Sequence, residues 1–441
     1  MKKQTGWTRA LLLVLVLLIL GLGGVYMFNA EKGAPELGIE PAGGFINAQS
    51  SIQVTARDEG SGLAEVRVTV VQGDKEHKIQ EEALEPETRQ WQQELDLEGL
   101  ELREQELTLR FQARDRSWAN LFQGNQSVQE QEFELDTSPP DISLQTFVHN
   151  LNQGGSGVVG FVLSEPVEKA GVEVGEDFFP AYEVQEDRYL CFFSFPYSLR
   201  PGEARPVIVA QDRAGNSRSS GFNLHVNSRS FPKSEVQVSE DFIQNTLLQF
   251  SDLYPEAKND LDLFLAVNQD LRQENRERLR EIGRDTSKAP LWSGRFLRQP
   301  NASLMSGFGH KRTYIYQGRE VDQQTHQGVD LASISRAEVP AANSGRVVFA
   351  GRLGIYGQTV ILDHGLGLQS MYAHLSQIQV QEGEMMQKGD VLGRTGTTGL
   401  AAGDHLHFEI MVSGFAVNPA EWWDASWIEN NIQGKLGLAA E

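Results

Sequence analysis

The sequence predicts a mainly β, multidomain protein. Over residues 35–230, short stretches that alternate apolar and polar residues, such as SIQVTARD and LAEVRVTVV, are separated by turn-forming residues. The segments ARDRSWAN (113–120) and AQDRAGN (210–216) both follow an apolar strand and lie roughly 100 residues apart, which is the size of a β-sandwich. A second strand-like region, residues 290–427, is rich in glycine and contains six of the nine histidines.

Length and composition limit the number of domains and the kinds of partner that this chain can have. A chain of 441 residues is long enough for about three domains, and 40% apolar with 22% charged residues is an ordinary folding composition. The formal net charge of −21 argues against nucleic acid as a partner. Cys191, the single cysteine, cannot form an internal disulfide, and its apolar neighbours predict a buried, inert thiol.

The N-terminus predicts a membrane anchor. Residues 10–28 are 19 uncharged, mostly apolar residues, and basic residues precede them in a short tail, residues 1–9. This order predicts a cytoplasmic tail and a single transmembrane helix, with the bulk of the chain in the periplasm or another extracytoplasmic space. A cleaved signal peptide is the alternative, but Phe28 occupies a position where a cut after Ala30 requires a small residue.

Two β-sandwich modules are expected after the anchor, at residues 35–137 and 138–230. Both resemble the immunoglobulin-like modules of exported bacterial proteins. Residues 236–285 then change to a helical pattern that begins near Ser239, has apolar residues at helical spacing and ends at Gly283. This stretch is predicted to be a helical spacer, and an autoinhibitory role for it is left open.

Five residues in the Gly-rich region form a possible metal site. HQGVD supplies His326 and Asp330, MYAHLS supplies His374, and GDHLHF supplies His405 and His407. On a strand, the two histidines of HLH point to the same face. A catalytic zinc site needs three nitrogen or oxygen ligands and an open fourth position, and His326, Asp330 and one histidine of HLH provide them. The remaining two imidazoles are then available for proton transfer, and the chain has no HExxH glutamate to act as base.

These motifs resemble those of a known family. Residues 303–423, including SGFGHKR, HQGVDLA, GRVVFAG, YAHLS and GDHLHFEI, resemble the lysostaphin/LytM-type zinc metallopeptidases. The resemblance implies an antiparallel-β peptidase domain at residues 290–427, followed by a tail at 428–441, with one zinc ion per catalytic domain. The resemblance also implies the roles of five residues: the metal ligands are His326, Asp330 and His407, and the catalytic residues are His374 and His405.

The resemblance further implies a membrane-anchored zinc metalloendopeptidase that hydrolyses peptide bonds of peptidoglycan, in the stem peptide or the cross-bridge. The expected partners are peptidoglycan and the inner membrane. The alternatives are a non-catalytic scaffold or activator of another cell-wall hydrolase, and a protease of an envelope protein.

Other residues near the motifs are candidates for supporting roles. Glu409 continues the alternation of HLH and is a candidate to orient a ligand imidazole, whereas His364 is expected to be structural. His310 is expected at the surface, and Tyr314 or Tyr316 is a candidate to stabilise an oxyanion. The polar stretch TYIYQGREVDQQT is expected to form a β-hairpin beside the cleft.

Overall fold

The computed structural model describes residues 5–440 and divides into two compact units. One comprises Met1–Pro139 with Gln211–Asn216, and the other comprises Pro140–Ala210 with Ser217–Glu441. Both units are mostly β, in agreement with the predicted fold class.

The chain begins with an apolar helix, α1 (Thr5–Asn29). From Arg9 onward this helix is long and apolar enough to cross a membrane, a property that N-terminal signal sequences share. The predicted cytoplasmic tail, residues 1–9, lies partly outside the described residues.

The first unit contains a three-stranded sheet in the order β1-β3-β6 and a five-stranded sheet in the order β2-β8-β7-β4-β5. Strand β7 alternates fully buried and mostly half-buried residues along its length, and its buried residues join those of β3 and β4 in one core. The elements are β1 (Glu36–Glu40), β2 (Gly44–Ile46), β3 (Ile52–Arg57), β4 (Leu63–Gln72), β5 (Lys75–Ala83), β6 (Gln90–Leu95), β7 (Glu106–Asp115), the single turn α2 (Ala119–Phe122) and β8 (Gln126–Leu135).

The second unit begins with two four-stranded sheets, β14-β15-β11-β9 and β13-β12-β16-β17, and a parallel pair, β10-β18. Cys191 lies in β15 and is fully buried, as predicted. The strands are β9 (Ile142–Leu144), β10 (His149–Asn152), β11 (Ser156–Leu163), β12 (Lys169–Val174), β13 (Asp177–Pro180), β14 (Tyr182–Gln185), β15 (Arg188–Ser194), β16 (Val207–Gln211), β17 (Ser217–Gly221) and β18 (Leu224–Asn227).

A mainly helical segment follows. Two of its helices begin at polar residues whose side chains cap the N-terminus of the helix. The Ser239 hydroxyl accepts a hydrogen bond from the Phe242 amide (3.1 Å), and the Asn259 side chain accepts one from the Asp262 amide (3.0 Å). The segment comprises strand β19 (Lys233–Gln237), α3 (Glu240–Phe242), a π-helical turn (Ile243–Leu247), a 3-10 helix (Leu248–Leu253), α4 (Asp260–Leu265), a second π-helical turn (Ala266–Leu271) and α5 (Arg272–Ile282).

The C-terminal part is built on one large sheet, with the order β20-β23-β30-β27-β26-β25-β28 and with β24, β29 and β31 at its margins. Strands β21 and β22 form the expected hairpin, and β19 pairs with β21. The elements are β20 (Ser303–Ser306), β21 (Lys311–Tyr316), β22 (Arg319–Thr325), β23 (Val329–Ala332), β24 (Glu338–Pro340), β25 (Gly345–Leu353), a 3-10 turn (Gly354–Tyr356), β26 (Gly357–Gly365), β27 (Leu368–Ile378), β28 (Met385–Met386), β29 (Val391–Thr395), β30 (Leu406–Val412), β31 (Phe415–Val417), α6 (Pro419–Trp422), α7 (Ala425–Ile428), a π-helical turn (Glu429–Gln433) and α8 (Gly434–Ala440).

The two faces of the large sheet have different environments. Leu406, Phe408 and Ile410 of β30 belong to a core shared with β11 and β15 and with the C-terminal helices. On the opposite face, Met411 and residues of β27 pack against the helical segment. Since side chains alternate along a strand, this second face also carries the HLH histidines.

Trp422 connects the parts of this shared core. Its fully buried ring lies 6.2 Å from Phe192 of β15, 5.3 Å from Phe296 and 5.6 Å from Trp292, measured between ring centroids. The β-strands before the helical segment and the sheet that follows it are therefore packed around one aromatic cluster.

Replacing Trp422 with Ala should lower the free energy of unfolding of the second unit by about 3–5 kcal/mol, because it removes a large buried ring. Urea unfolding monitored by circular dichroism measures this loss. Trp423→Ala is the matched control, since Trp423 is partly exposed and should cost less. Equal losses in the two variants would contradict the proposed importance of the buried cluster.

Candidate functional site

Three adjacent strands position the candidate ligands. Asp330 of β23 lies directly opposite His407 of β30, and His407 lies opposite Ala373 of β27. His326 lies before β23, and its side chain reaches Asp330 and His407. Residues that are up to 81 positions apart in sequence are therefore brought together by strand register.

Three potential donor atoms converge here. Asp330 Oδ1 lies 3.0 Å from His326 Nε2 and 2.9 Å from His407 Nδ1, and the two nitrogens are 3.1 Å apart. Both histidines are buried. The three residues form a group that can hold a metal ion.

The outer hydrogen bonds indicate which ring nitrogens carry protons. His326 Nδ1 is 3.1 Å from the Gly307 carbonyl, and His407 Nε2 is 2.8 Å from Glu409 Oε1, so both outer nitrogens act as donors. The neutral rings then direct their lone pairs toward Asp330 Oδ1. With both rings neutral, three electron-rich atoms this close together favour a proton or a metal cation between them, and two imidazole nitrogens with one carboxylate oxygen are a donor set that suits zinc.

The pKa values of His407 and Asp330 reflect the close approach of these three atoms. Burial lowers the pKa of His407, but its hydrogen bonds with Asp330 and Glu409 outweigh that effect and raise the pKa to about 9. Burial likewise opposes ionisation of Asp330, but bonds with the surrounding histidines hold the pKa of Asp330 well below its usual value. Without a metal the centre therefore retains a proton, which a bound metal ion would displace.

Glu409 supports His407 from behind. Its side chain is 1% exposed, and the Tyr356 ring lies 5.6 Å from the His407 ring. Gly328 completes this backing, because a Cβ at that position would lie 2.8 Å from His407 Cε1 and 2.6 Å from the Phe408 carbonyl oxygen. The centre thus requires glycine at position 328 for steric reasons.

His374 and His405 lie beside the three donors, with ring centroids 4.9 Å apart. Each donates from Nδ1 to a backbone carbonyl, of Thr398 and Gly403 respectively, at 2.8 Å. Nε2 of each ring is then an acceptor, and that of His405 lies 3.6 Å from Asp330 Oδ1. Burial, reinforced by the neighbouring histidines, lowers the pKa of His374 to about 3, so this ring stays neutral.

The backbone at His374 is unusual. Its φ of 60° lies in the left-handed region, at a point of β27 where the pairing with β26 and β29 shifts register. Such a conformation costs about 1–3 kcal/mol and is often found at functional sites.

Arg312 orients the remaining carboxylate oxygen. Its guanidinium donates to Asp330 Oδ2 at 3.0 Å and to the Ser306 hydroxyl at 2.8 Å. Because Arg312 lies on β21, the hairpin helps to hold Asp330 with Oδ1 directed at the histidines. His310 is half-buried rather than at the surface, and its Nδ1 lies 3.2 Å from the same hydroxyl.

All five predicted site residues line a cavity of about 440 Å³. One wall is apolar and includes Val236 and Phe242 from the segment before the sheet. The other lining residues are Arg272, Met305, Arg312, Tyr314, His326, Asp330, Ile355, Tyr356, His374, Leu400, Ala402, Gly403, Asp404, His405 and His407.

The other residues singled out in the sequence have different positions relative to the cavity. His364 is fully buried, with Nδ1 2.7 Å from the Ser344 carbonyl and Nε2 2.7 Å from the Ser370 hydroxyl, which is the expected structural role. Burial lowers the pKa of His364 to about 4. Of the two candidate tyrosines, Tyr314 lines the cavity.

Comparisons with known proteins identify the C-terminal part. Residues 324–419 match the model of Peptidase family M23. The DD-carboxypeptidase/endopeptidase Mpg of Neisseria meningitidis is 40% identical over 94 residues, which are 21% of this chain and 22% of that protein. The Peptidoglycan DD-endopeptidase ShyB of Vibrio cholerae is 32% identical over 109 residues, 25% of each chain. The chain thus covers at most a quarter of the length of either relative.

A crystal structure of a peptidase M23 from Pseudomonas aeruginosa is also similar. It is 22% identical, covers 62% of this chain and 94% of that chain, and has a TM-score of 0.39.

Replacing Gly328 with Ala should reduce bound metal, because the added methyl group displaces His407 or the backbone of β30. Metal content of the purified protein, measured by inductively coupled plasma mass spectrometry, provides the readout. Gly351→Ala is the control, since a Cβ there meets only ordinary contacts. A Gly328→Ala protein with full metal content would show that the close packing behind His407 is dispensable.

Proposed function

We propose that this chain, whose C-terminal domain is a peptidase M23 domain, is a zinc metalloendopeptidase that hydrolyses peptide bonds of peptidoglycan. The observation that supports the proposal most strongly is the convergence of His326 Nε2, His407 Nδ1 and Asp330 Oδ1, together with the imidazoles of His374 and His405 beside them. The substrate class is inferred from relatives whose names describe DD-endopeptidases of peptidoglycan.

In the proposed mechanism, His326, Asp330 and His407 hold one zinc ion. Zinc, when bound, polarises the scissile carbonyl and lowers the pKa of water from 15.7 towards about 7. Arg312 keeps Asp330 oriented, and Glu409 keeps His407 in the tautomer whose Nδ1 lone pair faces Asp330 Oδ1.

His374 and His405 perform the proton transfers. Each presents Nε2 as an acceptor, because Nδ1 is committed to a backbone carbonyl. One ring takes a proton from the attacking water, and a proton is later delivered to the leaving amine. The two rings have matching tautomers, so either can be the base, and a ring that has taken up a proton at Nε2 can then donate a hydrogen bond to the developing oxyanion.

The parts of the chain before the helical segment are proposed to anchor the protein and to form separate modules. Helix α1 is proposed to be a retained anchor in the cytoplasmic membrane, with the rest of the chain in the periplasm or extracytoplasmic space. The strands of residues 35–137 and 138–230 are proposed to form immunoglobulin-like modules. Their two-layered β architecture is compatible with that assignment.

Zinc should stabilise the folded protein, because a preformed donor set binds the ion only in the native state. At a free zinc concentration 100 times the Kd, the gain is about 2.7 kcal/mol. Differential scanning calorimetry of the full-length protein in detergent, with zinc and after chelation, measures it. The shift should disappear in Asp330→Ala, and a wild-type melting temperature that is indifferent to zinc would argue against the metal site.

His374→Ala and His405→Ala should keep zinc but lower the turnover of purified sacculi about 10²–10⁴-fold, the usual loss for an acid–base group. Mass spectrometry of the released fragments measures turnover and identifies the bond cleaved. His225→Ala is the matched control, because His225 is exposed in β18. Near-normal turnover in either variant would refute its catalytic role, and intact sacculi after treatment with zinc-loaded wild-type protein would refute the peptidase proposal.

A further inference from the structure

The cleft contains a cation whose charge the protein does not neutralise. Arg272, the first residue of α5, lines the same cavity as the five site residues. Among the described residues, no carboxylate lies within the 4.0 Å salt-bridge distance of its guanidinium. The other arginine of the cavity, Arg312, is by contrast paired with Asp330.

Specific contacts fix the position of Arg272. Its Nε donates to the Asn268 carbonyl at 3.1 Å, and Nη2 donates to Asn268 Oδ1 at 2.7 Å. Asn268 is fully buried, and its side-chain amide donates in turn to Asp322 Oδ2 of the hairpin at 2.6 Å. Two of the five guanidinium N–H donors are thus used internally, and three remain available.

The electrostatic surroundings of Arg272 favour an anion. Burial lowers the pKa of Arg272; the neighbouring Tyr314 and Tyr356 oppose this effect, and Arg276 and Arg312 add to it. Burial raises the pKa of the Tyr356 phenol, which therefore stays neutral and provides no counter-charge. A guanidinium that is partly removed from water and close to other arginines is stabilised when a carboxylate binds to it.

We propose that Arg272 binds the free carboxylate of the amino acid that leaves when the peptide bond is cleaved. This proposal rests on the proposed peptidoglycan hydrolase function. In D,D-linked peptidoglycan peptides, the carbon that carries the leaving amine also carries a free carboxylate when the leaving group is a terminal D-alanine or a cross-linked diaminopimelic acid, whereas a cross-linked lysine has none on that carbon. A glycine cross-bridge lacks this group inside the chain.

The neighbouring wall fits the same substrate. Val236, Phe242 and Leu400 give the cavity an apolar side that suits the methyl group of alanine. Arg272, Asn268 and Asp322 all lie before residue 324, where the match to the peptidase family begins. The selectivity for a carboxylate is therefore a property of this chain's helical segment and hairpin.

Binding of two matched probes tests the proposal: Nα,Nε-diacetyl-Lys-D-Ala-D-Ala with a free carboxylate, and the same peptide as its C-terminal amide. The protein is full-length, in detergent, zinc-loaded and carries His374→Ala to prevent turnover. Calorimetry should give an affinity about 10- to 100-fold higher for the carboxylate, the range expected for one charge-assisted hydrogen bond.

Adding Arg272→Gln should reduce this ratio to about one, and Arg272→Lys should retain part of it because it keeps the charge and loses the planar fork. Arg278→Ala is the matched control, since Arg278 lies on the same helix, exposed and paired with Glu281. Zinc content and melting temperature verify that each variant is folded.

Equal affinity of the parent protein for both probes, or an unchanged ratio in a folded Arg272→Gln protein, would overturn the carboxylate site. The wild-type hydrolysis of sacculi is scored separately. A carboxylate preference without hydrolysis would leave the subsite intact and reject the peptidase function, whereas hydrolysis without the preference would do the reverse.

Discussion

The site depends on one electrostatic constraint: three electron-rich atoms are held within about hydrogen-bond distance of one another. Left alone, two imidazole lone pairs and a carboxylate oxygen repel each other, so the surrounding protein must prevent their separation. It does so through Gly307 and Glu409, which fix the two rings, and through Arg312, which fixes the carboxylate. Close packing at Gly328 prevents His407 from moving back. The free energy for this arrangement comes from the large sheet and the cores on both of its faces.

The chain before the peptidase sheet contributes to both faces. Strands β11 and β15 share the aromatic core around Trp422, and the helical segment covers the face that carries the histidines. That segment also contributes Val236, Phe242 and Arg272 to the cavity. The helices thus form part of the wall of the cleft, in addition to any role in spacing.

The sequence predicted the features that depend on local pattern. Alternation in HLHFE placed His405, His407 and Glu409 on one face of β30, with Leu406 and Phe408 in the core, as the structure has them. It also predicted the hairpin and a structural His364. The roles of the site residues and the module boundaries remain predictions.

Features that depend on tertiary contacts were missed. Arg272 belongs to the stretch that was predicted to be a helical spacer, and only the fold shows that this residue lines the cavity. Tyr356 lies in a short turn between glycines, without a recognisable motif. The pairing of Arg312 with Asp330 depends on how the hairpin folds against β23. The left-handed backbone of His374 depends on a register shift in β27, which residue types alone do not predict.

The split origin of the cleft has an evolutionary consequence. Residues 324–419 contain the three candidate metal ligands and the two further histidines of the cavity, whereas part of the surrounding wall comes from Val236, Phe242 and Arg272. Under the proposed function, a gene fusion that transferred only the shared segment to a new host protein would carry the candidate ligands and both histidines without this wall. The new host would then have to supply its own side chains on that side of the cleft.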